Sequence, residues 1–168
     1  YHHGNYDYTQ AHLPVRRQKT AEGHSVRACY LYAGMASVAA ETEDEELFAA
    51  CRRIWDNITQ RRMYIHGGIG SSRFGERFSF DYDLPNEDAY AETCAAIALV
   101  FFAHRMLQIE PDSRYADVME RALYNGVISG VSLDGKRFFY DNFLASHPPY
   151  QRFNGQKSPE RQEWFGCA

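Results

Sequence analysis

The chain has 168 residues, 45% of them apolar, 24% charged and 15% aromatic, with a formal net charge of −4 and a pI near 6.0. That length and composition suit one globular domain with a real core and exclude a disordered chain. The acidic balance carries no basic cluster and argues against nucleic acid as a partner. The longest unbroken apolar run, residues 95–103, is too short to span a bilayer, so no membrane is expected either.

Residues 1–23 hold three His, three Tyr and several turn formers without periodicity, and they read as an irregular lead-in. Pro14 disfavours helix just before it. Residues 24–40 follow a helical pattern, with Val26, Cys29, Tyr30, Ala33 and Ala36 or Ala40 on one face. An acidic break at residues 41–44 comes next, where Thr42 or Asp44 can cap a second helix. That helix is the clearest amphipathic segment. Leu47, Cys51, Ile54 and Ile58 recur at helical spacing, opposite Arg52, Arg53, Asn57 and Arg61.

Residues 62–86 form a long loop around a glycine-rich turn, dense in carboxylates and aromatics. Loops of that length in a compact domain are commonly functional. A third helix runs to about Gln108 and is apolar on all sides over residues 95–103, which predicts burial. A fourth starts at Pro111-Asp112 and continues to about Ile128, with Tyr115, Val118, Met119, Ala122 and Leu123 on its inner face. Residues 131–140 read as a hairpin turning at Asp134-Gly135, and residues 144–162 as a loop. The expected fold is mostly α: helices in pairs, fitting part of a helical barrel, with a small β-hairpin element.

Four cysteines, Cys29, Cys51, Cys94 and Cys167, show no disulfide spacing, which favours a reducing compartment and a cytoplasmic location. The aromatic excess of 12 Tyr, 11 Phe and 2 Trp fits a sugar-binding cleft, although core and helix packing explains it better. A start at Tyr1 rather than Met reads as a piece of a longer protein.

The polar groups with chemical promise cluster in and after the long loop. Glu92 and Cys94, in Glu-Thr-Cys, are a carboxylate and a thiol of the kind that holds zinc. Residues two apart lie on different sides of a regular helix, so the pair converges only where a helix begins, with Thr93 as the expected N-cap. On residue type alone, an ordinary helix start explains them better. Glu76 lies in Gly-Glu-Arg-Phe, and Asp81, Asp83, Glu87 and Asp88 follow it. Two such carboxylates can act as acid and base in glycoside cleavage, or simply form a solvated loop. His24 opens a helix and can face a cleft there, whereas His104 lies inside a helical run. Tyr140 ends a strand from which a phenol can project.

Four long motifs make the chain recognisable: HLPVRRQKTAEGHSVRACYLYAGMA, MYIHGGIGSSRFGERFSFDYDLPNEDAYAETCAAIALVFFAHRML, MERALYNGVISGVSLDGKRFFYDN and WFGCA. In this order they closely resemble the glycoside hydrolase family 127 β-L-arabinofuranosidases, over nearly the whole chain. The resemblance implies that residues 1–168 are part of an (α/α)6-barrel catalytic domain, followed in the longer protein by β-sandwich domains. It implies a retaining exo-glycosidase that releases terminal β-L-arabinofuranose from oligosaccharides or glycosides, with a zinc-bound cysteine thiolate as nucleophile.

By position, Glu76 matches the general acid/base. Glu92 and Cys94 match two zinc ligands, which reverses the plainer reading of that pair. His24, Glu92 and Tyr140 match sugar-contacting positions. Cys167 matches the first cysteine of a Cys-x-Cys-Cys-Pro-Pro run and takes no ligand role. The nucleophile and the remaining ligand are the two cysteines expected just beyond Ala168. The 168 residues alone are therefore expected to be inactive, with an incomplete zinc site and exposed apolar surface that favours association. Two other readings remain: a sugar epimerase on the same helical barrel, working through histidines, or a non-catalytic glycan-binding scaffold.

Overall fold

A computed structural model describes residues 4–146 and 160–165. Among them the fold is mostly helical, with four α-helices and one small antiparallel pair of strands. The helices are α1 (Ser25–Thr42), α2 (Glu45–Arg61), α3 (Thr93–Ile109) and α4 (Ser113–Ala122). α3 is the central element: it packs most extensively on α1 and then on α4, while α2 lies against α1.

Three of the four helices, all but α3, begin where the sequence supplies a side-chain cap. His24 Nδ1 accepts from the Arg27 amide at the start of α1, Asp44 from the Leu47 amide at α2, and Asp112 from the Arg114 amide at α4. Of the two residues that could cap α2, Thr42 instead ends α1. Its hydroxyl donates back to the Val38 carbonyl at 2.7 Å. Two acidic residues in the first turn of α2 and an arginine in its last suit the helix dipole.

The core gathers Tyr32, Trp55, Phe102 and Tyr115, with Ile54, Ile58, Leu99 and Met106 around them. The Trp55 ring meets Phe102 and Tyr115 edge-on, with centroids 5.5 and 5.0 Å apart. Leu47, Cys51, Ile54 and Ile58 form the buried stripe of α2 as their spacing predicts. Asn57 departs from the expected polar face. It is buried, accepting from the Ala21 amide and donating to Asp81.

The buried side of α1 is also rotated from the expected one, running through Ala28, Cys29, Tyr32, Met35, Ala36 and Ala39. Tyr30 is half exposed and pairs with the equally exposed Phe101 of α3. The remainder of residues 95–103 is buried or nearly so. α4 ends earlier than the expected Ile128: its regular turns stop at Ala122, and the chain continues through a π turn, Leu123–Val127, into a short 3-10 turn.

Residues 131–140 do not form a two-stranded hairpin. The turn at Asp134-Gly135 is present, with Gly135 at φ +71° and its amide on the Ser132 carbonyl. Strand β1 (Arg137–Phe138), however, forms its ladder with β2 (Gln162–Glu163), while on the turn side the Ser132 amide donates to the Arg137 carbonyl and the Phe139 amide to the Gly130 carbonyl. The Trp164 ring stacks on Phe138 at 4.6 Å and favours that partner. The expected loop over residues 144–162 therefore yields its last residue to β2, and residues 147–159 lie outside the described part.

The connection between α2 and α3 is built by its own bonds. Met63 bridges Ile69, and Ser72 bridges Arg77. Gly67 is required there. Its φ is +93°, and a Cβ would come within 2.8 Å of the Ala122 backbone. No helix among the described residues is long and apolar enough to cross a membrane.

Candidate active site

Three chain segments meet at the N-terminal ends of α1 and α3. The first is the start of α1. Gly23, at φ +72°, packs so tightly on the Tyr8 and Asp7 carbonyls that no side chain fits, and His24 follows as the cap. The second is the turn through Gly75 and Glu76. Both residues have left-handed backbone, φ +75° and +51°. A non-glycine residue held there is strained, a condition frequent at functional sites.

What holds Glu76 is visible. Its carbonyl accepts from the amide and the hydroxyl of Ser25, both at 2.9 Å, and the Phe78 amide donates to the Gly23 carbonyl. The third segment is the strap 139–142, which crosses the start of α3. The Thr93 hydroxyl donates to the Phe139 carbonyl, the Thr93 amide donates to the Tyr140 carbonyl, and Asn142 donates to the Ala91 carbonyl.

These supports converge on the Glu76 carboxylate. Its Oε1 accepts from the Tyr90 hydroxyl at 2.7 Å and the Tyr140 hydroxyl at 3.1 Å, and its Oε2 lies 3.2 Å from His24 Nε2. His24 Nδ1 already accepts the Arg27 amide, so Nε2 carries the ring proton and donates. Burial works to raise the Glu76 carboxyl. The donors Tyr90, Tyr140 and His24 outweigh it and hold the group below the ordinary carboxylate range. Its side chain remains 37% exposed, against 21% for His24.

Glu92 is buried, 1% exposed. It is the N-cap residue of α3, a place expected for Thr93, which instead stands at the first helical position. The Glu92 side chain makes no capping bond. Extended backbone at the cap and helical backbone just after it let residues two apart approach, and Cys94 hydrogen-bonds to the Glu92 carboxylate, as does Tyr140. Burial raises the Glu92 carboxyl, and those two bonds act against it.

So His24, Glu76 and Tyr140 are brought together, and Tyr140 links them to Glu92 and Cys94. For zinc, the pair offers one carboxylate and one sulfur in contact, a donor set that suits the metal. Among the described residues no group of three or more His, Cys, Asp or Glu is placed to hold an ion, so the pair amounts to part of a site. Cys167 lies outside the described residues. Cys29, Cys51 and Cys94 are buried and in no disulfide. Burial pushes the Cys51 thiol up to about 12 and raises Cys29 further, which leaves both inert. Of the other histidines, His104 is exposed on α3, while His66 is edge-on to Tyr64, its basicity lowered by burial.

Tyr90 was not singled out by the sequence. Its spacing gave no signal, because Ala91, between it and Glu92, has φ +39° and breaks the alternation of an extended strand.

The sequence profile of the β-L-arabinofuranosidase GH127 catalytic domain matches residues 2–168. A non-reducing end β-L-arabinofuranosidase of Bifidobacterium longum subsp. longum is 48% identical over 96% of this chain, which corresponds to 25% of that protein. The structure of a GH127 β-L-arabinofuranosidase from Geobacillus stearothermophilus T6 is 59% identical and superposes with a TM-score of 0.92, covering 98% of this chain and 26% of its own. A second GH127 β-arabinofuranosidase structure is 50% identical, with a TM-score of 0.86 over 96% of this chain and 24% of its own. The chain thus spans about a quarter of the length of these relatives. A match over almost every residue, with the site motifs inside it, shows that this chain belongs to the GH127 β-L-arabinofuranosidase catalytic-domain family.

Proposed function

We propose that the longer protein containing this chain is a retaining exo-glycosidase that releases terminal β-L-arabinofuranose, and that these helices form part of its (α/α)6 barrel. The observation that carries the reading is the Glu76 carboxylate, held by three donors at a strained turn yet partly open. Glu76 serves as general acid and then as base. In the sugar-free arrangement all three neighbours donate to it, so it rests ionised, the form that activates water.

To act as acid it must carry a proton, and one donor must give way. His24 is the most readily released, because its contact at 3.2 Å is the longest of the three and the matching position in the family faces the sugar. A sugar hydroxyl accepting the hydrogen bond of His24 Nε2–H would leave Oε2 free to take a proton from water. Proton transfer from Oε2 to the glycosidic oxygen then lets the bond to the anomeric carbon break, with its electron pair staying on the departing oxygen.

Glu92 and Cys94 would hold zinc together with cysteines beyond residue 168. Bound there, the metal would keep its sulfur ligands as thiolates at neutral pH. Glu92 would also face the sugar, as would Tyr140, whose phenol reaches both carboxylates.

The test is the hydrolysis of methyl β-L- and α-L-arabinofuranosides by the longer protein, with the first-formed anomer read by proton NMR. Cleavage of the β anomer with retention supports the reading. Cleavage of neither anomer, inversion, or interconversion of free sugars contradicts it.

A further inference from the structure

We propose that Tyr90 is the positioning residue of the acid/base carboxylate: its hydroxyl fixes Glu76 Oε1 and so assigns proton transfer to Oε2. This rests on the reading of Glu76 given above. The Tyr90 hydroxyl makes the shortest contact to the carboxylate, 2.7 Å, from a side chain that is 4% exposed. The second donor to Oε1, Tyr140, is longer at 3.1 Å and is shared with Glu92. With both phenols on Oε1, Oε2 is left with His24 alone, and it is the oxygen that can exchange a proton with substrate.

Tyr90 is itself held on several sides. The Arg73 guanidinium lies 5.0 Å above its ring and is bound to Asp141 at 2.7 Å, next to Tyr140 in the strap. The Tyr90 amide donates to the Ser71 carbonyl, and its carbonyl accepts from the Asn142 amide. The next residue, Ala91, is held at φ +39°, a costly conformation for a residue with a Cβ. That kink lies between the residue that fixes the acid/base group and Glu92. The backbone here is therefore constrained on both sides of the phenol, as a group that sets another's orientation requires.

The test is Tyr90→Phe in the longer protein, a change that removes the hydroxyl and keeps the ring beneath Arg73. Acid assistance matters most for a poor leaving group. The variant is expected to lose about tenfold or more in kcat/KM on methyl β-L-arabinofuranoside and less than about threefold on the 4-nitrophenyl glycoside, with an unchanged melting midpoint. Equal losses on both substrates, or none, would overturn the proposal. A crystal structure of the variant gives a second readout, in which the Glu76 carboxylate should turn or spread over several rotamers. A carboxylate left in place would also overturn it. Should the unmodified protein cleave neither glycoside, the substrate reading fails by itself, and the carboxylate position in the variant still decides the role of Tyr90.

Discussion

At the scale of single residues, the site depends on side chains whose backbone is held away from its preferred state. Glu76 and Ala91 both have positive φ without being glycine. Each is fixed by backbone hydrogen bonds to neighbouring segments, Glu76 through Ser25 and Ala91 through Gly70 and Asn142. Glu92 and Cys94 show why a residue-level reading from sequence was incomplete. Their two-residue spacing argues against convergence inside a helix, and only the cap position of Glu92 allows it. Residue type could suggest the pair, but its geometry depends on the strap that fixes where α3 begins. The zinc proposal is checked here without reference to turnover. Cys94→Ser in the longer protein should lower bound zinc well below the stoichiometry of the unmodified protein, measured by atomic emission after gel filtration. Full retention of the metal would remove Cys94 from the ligand set.

At the scale of elements, α2 carries the anchor that aligns two of the site's three segments. Its last turn presents Asn57 and Arg61, and Arg62 follows at its end. All three donate to Asp81, at 3.0, 3.0 and 2.7 Å. Arg62 also donates to the Ala21 carbonyl, and Asn57 accepts the Ala21 amide. The lead-in before His24 and the loop after Glu76 are thereby tied to one helix end. The Arg62 bond comes first among the causes that hold the Asp81 carboxyl down, at about 2 against an ordinary 3.8. A depressed folded-state value means that the stabilisation is fully present above the unfolded value and is lost as pH falls from about 4 towards 2. Asp81→Asn should therefore cost on the order of 2 kcal/mol at neutral pH, read from urea unfolding. It should also flatten the loss of stability in that acid window. An unchanged midpoint would show that the network is not a support. The helices themselves were legible, because apolar spacing and caps are local signals: α2 follows from its apolar spacing, and its cap was narrowed to Thr42 or Asp44, of which the structure uses Asp44. The pairing of β1 with β2 and the rotated face of α1 were not, since both are decided by partners distant in sequence.

At the scale of the whole molecule, the described residues bring the candidate site into one cluster. Glu76, His24, Tyr90 and Tyr140 stand together with Glu92 and Cys94 behind them, while the relatives are about four times as long. Tyr30, Val38 and Phe101 are half-exposed apolar residues on α1 and α3, a surface that neighbouring helices would cover in the proposed barrel. The isolated 168-residue chain should therefore associate, with a sedimentation coefficient that rises with concentration, and should show no turnover of β-L-arabinofuranosides. A monomeric, active chain would contradict both expectations. Family membership was legible in the sequence because the motifs are long and ordered; the Tyr90 phenol on the Glu76 carboxylate was not, because that contact comes from the meeting of two segments of the connection between α2 and α3. Glu76 is the residue on which the proposed chemistry depends most. The most direct test is the rate of methyl β-L-arabinofuranoside cleavage by the longer protein beside its Glu76→Gln variant. The account predicts a loss of at least about a hundredfold with the metal content unchanged. Comparable rates for the two proteins would contradict it.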